Sequence, residues 1–403
     1  MRLELENLDR MVRGYAYFLS WRTGLRGTEP DFTDDMRNAK AYAYQGDAES
    51  FDAGKKFNPG EWDNPTKWVA IRTKYFAVAV IPKDKEGQAV RFRGEEVDIG
   101  EKAAWKKYGF DLEMPFEANR ERVEDNFTIY FGPLDYDIVK AYGVGLENMM
   151  SFGWAIFRPF GKMILWSFNA LYKIIPNYGW VIVIFSILIK LLLFPLTRKS
   201  YQSMKEMQRL QPLMQEINEK YKDDPQKKQQ EIMNLYRAHG VNPLGGCIPM
   251  LLQWPLLIAL FNVFRTTIQL RGAPFILWIH DLSRPDTIAH LPFSLPLYGD
   301  TVNVLPLFMG VTMFVQQKMT MKDPKQKAMV YFMPLFFTLL FNRFPSGLNL
   351  YYALFNLFSI IQEKVVPYHP PTEEELKERA KKATKAKPRR LKHDYRGRYY
   401  KQK

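Results

Sequence analysis

The chain has 403 residues, a formal net charge of +14 and one cysteine, Cys247. A lone cysteine excludes an intramolecular disulfide and any cysteine-rich metal site; Cys247 reads most simply as a small buried hydrophobe. A mean hydropathy of -0.30 averages two polar ends with a middle dense in Leu, Ile, Phe, Met and Trp. Met1 opens on RLELENLDR, with no apolar core behind a basic start, so no signal peptide is read there.

Residues 1–147 read as a strand-rich soluble domain. The run from Trp68 to Pro82 (WVAIRTKYFAVAVIP) is rich in aromatic and β-branched residues and partly alternates. The run from Phe127 to Val139 holds another strand, closed by Gly132-Pro133. The polar stretch 20–65 carries no strong signal. Residues 148–176 read as an amphipathic helix. Arg158, Lys162, Asn169 and Lys173 share one face, and Trp154, Phe157, Ile164, Leu165, Phe168 and Leu171 fill the rest. That division suits a helix lying in a membrane interface, although a core helix of the soluble domain shows the same pattern.

The run Tyr178–Leu196, YGWVIVIFSILIKLLLFPL, is long enough to cross a hydrocarbon core of roughly 30 Å. It gives the expected span at 177–197. Four more spans are expected within 242–365, at about Leu244–Thr267, Val302–Thr320, Ala328–Phe344 and Leu348–Gln362. Pro249, Pro255, Gln253 and Pro334 interrupt them; prolines are tolerated where neighbouring helices re-satisfy the freed carbonyls. The last two are joined by FPSG and form a helical hairpin. Lys and Arg crowd the 198–242 loop, the 321–327 loop with Lys318 just before it, and the tail 366–403, while 268–301 and 344–347 hold few charges. Five spans place all the basic blocks on one side, the cytoplasm, and the soluble domain on the other.

The segment 198–241 has its own apolar stripes. Met204, Met207, Leu210, Leu213, Met214, Ile217 and Tyr221 recur at helical spacing on a first helix, and Ile232, Met233, Leu235 and Tyr236 on a second. Asp224 reads as an N-cap with Pro225 at the first helical position. The expected product is a cytoplasmic helical hairpin whose Met204, Met207, Leu210 and Tyr221 are candidate partner contacts; a plain spacer is the simpler alternative.

The spans as drawn hold no Asp or Glu, which counts against pumps and cation-coupled transporters. There is no GxxxxGK(S/T) loop, no HExxH and no GxSxG, and the five histidines lack ligand spacing. No catalytic residue, metal site or cofactor is expected. What stands out is Lys190, a cation within the first span, where insertion costs roughly 2.5–3.5 kcal/mol. Ser186 lies one turn earlier on the same face. Gln253, Asn349, Tyr351, Tyr352 and Asn356 are candidate neighbours from other spans. Lys190, Ser186, Gln253, Tyr351 and Tyr352 are therefore the candidate lining of a polar groove that attracts a negative or polar segment. The alternative is snorkelling, since the cytoplasmic end is about seven residues, or roughly 10 Å, away.

PLTRKSYQSMKEMQRLQP, NPLGGCIPMLLQWPL, FILWIHDLS, LPLFMGVTMFVQQKM and FPSGLNLYY stand in order between Pro195 and Tyr352. With these motifs the chain resembles the bacterial YidC branch of the YidC/Oxa/Alb family of membrane protein insertases, from about residue 60 to residue 365. The resemblance implies an α-helical membrane protein: a five-span core, the cytoplasmic hairpin and an N-terminal periplasmic β-sandwich, here only in part. It implies a multi-pass protein of the bacterial inner membrane. It also implies a groove open to cytoplasm and lipid whose positive residue receives the polar part of a client. Lys190 matches that position, where many members carry Arg. The implied partners are nascent membrane proteins and the lipid bilayer; the general translocon and the ribosome are partners of some members, and no direct DNA binding is expected. Gram-negative relatives begin with a signal-anchor helix and a longer outside domain, whereas Met1 here falls inside that domain. An in-frame apolar segment upstream in the gene is the resulting expectation. A small-solute transporter or channel, and a non-catalytic assembly factor for the general translocon, are the competing functions.

Overall fold

The structure is a computed structural model that describes residues 1–7, 15–51, 61–100, 104–117, 121–150, 152–154, 156–239, 241, 248–320, 327–365 and 372. The chain divides into two units, Met1–Ser151 with Thr266–Gln269, and Phe152–Arg265 with Leu270–Lys403.

The first unit is built from strands β1 (Arg2–Glu6), β2 (Ala16–Trp21), β3 (Lys40–Tyr44), β4 (Ala48–Phe51), β5 (Glu61–Trp62), β6 (Trp68–Arg72), β7 (Phe76–Pro82), β8 (Ala89–Asp98), β9 (Ala104–Pro115) and β10 (Arg122–Pro133). Two short helices, α1 (Phe32–Asn38) and α2 (Tyr136–Lys140), join them. A six-stranded sheet runs β1-β10-β7-β6-β3-β4, and a four-stranded sheet runs β2-β9-β8-β5. Alternation along β8 buries Val90 and Phe92 and exposes Arg91 and Arg93, as a strand with one wet face requires. Ala41, Val69, Ile71, Val78 and Val80 of the first sheet share one apolar cluster with Val90, Phe92, Phe110 and Leu112 of the second. Two sheets facing each other over one core make this a β-sandwich.

The apolar run Trp68–Pro82 is two strands rather than one. Thr73–Tyr75 forms the turn, closed by the Thr73 amide donating to the Phe76 carbonyl at 2.8 Å. The turn is held by α1: the Lys74 amide donates to Asp35 at 2.9 Å, and the Lys74 ammonium pairs with Asp34 at 2.9 Å. Strands β3, β4 and β5 and helix α1 all fall in the 20–65 stretch that lacks a sequence signal.

The second unit is helical, with α3 (Arg158–Tyr172), α4 (Tyr178–Arg209), α5 (Gln211–Lys220), α6 (Pro225–Ala238), α7 (Ile248–Thr266), α8 (Val304–Thr320), α9 (Lys327–Phe341) and α10 (Ser346–Val365). A two-stranded ribbon, β11 (Thr287–Leu295) with β12 (Gly299–Asn303), leads into α8. Helix α3 is shorter than the expected 148–176. Gly153 at φ 80° makes a turn before it, and Pro159 in its first turn has no amide to donate upstream. Its Ile164, Leu165 and Phe168 are buried, while Met163 and Trp166 are exposed beside Arg158 and Lys162.

Helix α4 runs beyond the expected span, through Pro195 to Arg209. The Thr197 hydroxyl donates back to the Leu193 and Phe194 carbonyls at 3.0 and 3.1 Å, tying it within the helix just past that proline. The hairpin's first arm is consequently split: α4 ends at Arg209 and α5 restarts at Gln211, because Pro212 cannot continue the amide ladder. Asp224 caps α6, accepting from the Lys227 amide at 2.9 Å. Among the described residues, α4 is the one helix long and apolar enough by length and composition to cross a membrane, with α9 a shorter apolar helix. Gly310 lets α8 approach α9: a Cβ there would lie 2.0 Å from the Thr338 Oγ1. Overpacking of this kind costs roughly 1–3 kcal/mol, so Gly310→Val is expected to lower the melting temperature of the purified protein. An unchanged melt would show that α8 and α9 do not need this contact.

Candidate functional site

The buried residues of α4 recur at three- and four-residue spacing: Val181, Ile182, Phe185, Ser186, Ile189, Lys190, Thr197 and Ser200. Ile187, Leu188, Leu191 and Leu192 are exposed on the other side. Lys190 therefore points into the helical bundle while the lipid-soluble residues point away. Its side chain is 7% exposed, which does not fit a snorkelling lysine. The ammonium donates to the Ser359 hydroxyl at 2.7 Å and stands 4.5 Å from the centroid of the Phe355 ring. Among the described residues no carboxylate lies within ion-pair distance of it.

Helix α10 supplies the facing wall. Asn349, Tyr352, Asn356, Ser359 and Gln362 follow one another at helical spacing, and all are buried. Ser359 also donates to the Phe355 carbonyl at 2.8 Å, so its hydroxyl both accepts from Lys190 and donates within its own helix. One turn on, the Gln362 amide donates to the Thr197 hydroxyl at 2.8 Å, a second polar tie between α10 and α4. Tyr201 lies within hydrogen-bonding reach of Ser359 and Gln316, with Glu363 beside it. A cavity of about 620 Å³ opens next to this group, lined by Lys205, Phe314, Val315, Lys318, Met319 and Glu363. Ser359 thus joins Lys190 to Tyr201, and Glu363 beside Tyr201 belongs to the lining of that cavity.

The candidate residues are distributed unevenly about this centre. Ser186 is buried on the face of Lys190, but its hydroxyl donates to the Ile182 carbonyl at 2.7 Å within α4. Tyr351 packs on Phe355, the ring under Lys190, at 6.0 Å, and on Phe185 at 6.2 Å. Tyr352 meets Phe341 at 5.4 Å. Both tyrosine hydroxyls and the Asn356 amide nitrogen are buried with no hydrogen-bond partner among the described residues. Buried polar atoms of that kind are ordinarily met by water or by a visiting polar group. Gln253 is half-buried on α7, and no hydrogen bond ties it to Lys190 among the described residues. The motif residues 242–247, including Cys247, and the tail 373–403 lie outside the described residues. Sequence reasoning missed Ser359, Phe355, Tyr201 and Gln362; the spacing from Tyr352 through Asn356 points to Ser359.

The hairpin candidates are placed differently from their expected role. Leu210 is 3% exposed inside the hairpin's own core with Leu213, Ile217, Ile232 and Leu235, and Met207 and Tyr221 pack against it. Closing two amphipathic arms on each other uses up these faces. Met204 stands outside that cluster and is half-buried.

Comparison with known proteins decides the family. The sequence model of the 60Kd inner membrane protein family matches residues 170–373, and that of the YidC periplasmic domain matches residues 7–167. The chain belongs to the YidC family of inner-membrane proteins. The periplasmic-domain match covers most of the β-sandwich, and the 60Kd match covers α4 to α10. A membrane protein insertase YidC of Chloroherpeton thalassium is 43% identical over 400 residues, covering 96% of this chain and 67% of the relative. That of Chlorobaculum tepidum is 42% identical over 370 residues, covering 90% of this chain and 62% of the relative. The chain thus spans about two thirds of the length of these YidC relatives. A solved structure, described as an active YidC insertase crystal structure with the first transmembrane domain resolved, is 21% identical with a TM-score of 0.44, covering 82% of this chain and 83% of that one.

Proposed function

We propose that this chain is a membrane protein insertase and chaperone. It receives polar parts of nascent membrane proteins in the cleft between α4 and α10 and releases their apolar segments into the bilayer. The observation that carries this reading is Lys190: a buried cation in a membrane span, held by a hydroxyl and a ring rather than by a carboxylate. In a low-dielectric setting such a charge strongly attracts an incoming carboxylate or polar backbone. The neighbouring unpaired hydroxyls can hydrogen-bond the same segment. Nothing in the reading makes or breaks a bond, so the chain acts as a receptor and conduit rather than an enzyme.

The accompanying topology is that residues 1–147 lie on the periplasmic side, the 198–241 hairpin and the 366–403 tail in the cytoplasm, and 148–176 along the interface. It rests on the basic loops. That its relatives in Chloroherpeton thalassium and Chlorobaculum tepidum are named membrane protein insertases supports the insertase reading. Photocrosslinking from position 190 to a stalled nascent membrane protein tests it; absence of a crosslink to the nascent chain would remove Lys190 from the client path. Contact with the general translocon through the hairpin and with ribosomes through the basic tail belongs to the same proposal. Replacing 211–238, beyond the end of α4, with a short linker should leave insertion of small clients by the purified protein intact if the cleft suffices.

Ser359 separates charge from positioning. Ser359→Ala removes the one hydroxyl that fixes the ammonium, an interaction worth roughly 1.5–3 kcal/mol for a charged donor, less what water recovers. Insertion is expected to fall several-fold while Lys190 keeps its charge. A Ser359→Ala variant that inserts at the parental rate would show that the hydroxyl does not position Lys190.

A further inference from the structure

The segment between α7 and α8 carries apolar side chains that the protein leaves uncovered. Leu277 is 76% exposed, Phe293 59%, Leu297 58% and Ile288 56%. Every residue of β11 but Leu291 is exposed, so neither face of the ribbon is packed. Leu277 and Leu297 both sit in the left-handed region, at φ 60° and 66°, where glycine or asparagine would fold with less strain. Two strained turns thus each hold out a leucine. Water gives no reason for either choice.

The segment is fixed at both ends on membrane helices. The Phe275 ring meets Trp180 edge-on at 5.5 Å and lies over Gly179 so closely that a Cβ there would be 1.8 Å away. The Asn177 amide donates to the Pro274 carbonyl at 3.3 Å. The loop therefore sits on the first turn of α4, and Trp180 and then Ile187, Leu188 and Leu191 continue the exposed apolar surface down that helix. At the other end Asp286 accepts from the Val304 and Leu305 amides at the start of α8. Charge is sparse: between residues 272 and 299 only Asp281, Arg284 and Asp286 are charged. Asp281 pairs with Arg284 at 3.2 Å, and Asp286 is buried.

We propose that residues 275–297 form an interfacial anchor, with Leu277 and Leu297 as two wedges reaching the acyl boundary of the bilayer. The partner is the lipid surface, because the end of the segment that carries Leu277 rests on the first turn of α4, whose exposed side is apolar, and an aromatic and aliphatic surface at a span's end suits the headgroup boundary. A surface for a second protein would not need to be level with a span.

The test uses the full chain in proteoliposomes. With Cys247→Ser removing the native thiol, Leu297→Cys and, separately, Leu277→Cys are labelled with bimane. Glu95→Cys, on exposed strand β8, serves as the water-accessible control. Phosphatidylcholine brominated high on its acyl chains is expected to quench both loop labels at least twofold, and iodide to quench only the control. Iodide quenching without bromine quenching overturns the proposal. Protection of both loop labels from both quenchers means a protein contact, and equally overturns it.

Discussion

Lys190→Ala is expected to lower insertion of clients with acidic or polar translocated segments roughly tenfold to a hundredfold, the equivalent of losing one charge-assisted contact of about 1.5–3 kcal/mol. Lys190→Arg should retain most activity, because the charge survives and the planar guanidinium fork can meet a carboxylate with two parallel donors. Reconstituted proteoliposomes with a small single-span client measure this directly. The alanine chain should remain folded, since removing a cation with no carboxylate partner strands no anion. Its melting temperature is the control. Normal insertion by the alanine variant would take Lys190 out of the mechanism. Solute flux without any client would instead favour a transporter or channel. A client whose translocated segment lacks acidic residues should be less sensitive to the substitution, since charge attraction then contributes little.

Much of the helical unit is legible in the sequence because its signals are local. The run around Lys190 declares its own length, FPSG declares its turn, and Asp224-Pro225 declares the start of α6. The failures share a cause. Thr73–Tyr75 turns without glycine or proline because Asp34 and Asp35, about forty residues earlier, hold it; no window of sequence contains that information. Sequence points to Ser186 and Gln253 as neighbours of Lys190, but Ser186 spends its hydroxyl on Ile182 and the ammonium goes to Ser359, 169 residues away. Which helix faces α4 is a matter of tertiary packing, not of periodicity. Met207, Leu210 and Tyr221 are expected as partner contacts, and in the hairpin core they pack with Ile232 and Leu235 of its second arm. Glu363 lies just past the expected last span, which ends at Gln362, while α10 continues to Val365. That extra turn brings a carboxylate beside Tyr201 and the cavity lined by Lys205 and Lys318. The cavity thus has mixed charge, with Glu363 as well as Lys205 and Lys318 in its lining.

Asp286→Ala is expected to cost roughly 1–3 kcal/mol, because three donors lose their acceptor at once and the buried Leu305 amide is left unsatisfied, while water can meet the part-exposed Trp278 indole and Val304 amide. The Asp286 carboxylate accepts from the Trp278 indole at 3.0 Å and from the Val304 and Leu305 amides at 3.1 and 2.8 Å. It caps α8 from eighteen residues away, and its charge lies at the end of the helix dipole that favours an anion. Asp286→Asn keeps an acceptor oxygen in place and should lose less than half as much. Thermal melting of the purified chain checks both, and an alanine variant that melts with the parent would mean that α8 is held elsewhere, with Asn303 and Asn342 the next candidates. The functional consequence follows from the far end of the same helix. On α8, Gln316 hydrogen-bonds Tyr201, and Phe314 and Lys318 line the neighbouring cavity. Loosening the start of α8 therefore displaces one wall of the cleft while leaving Lys190 and Ser359 untouched. Insertion by the Asp286→Ala chain should fall even at temperatures where it remains folded, and restoring the acceptor with Asn should recover much of it.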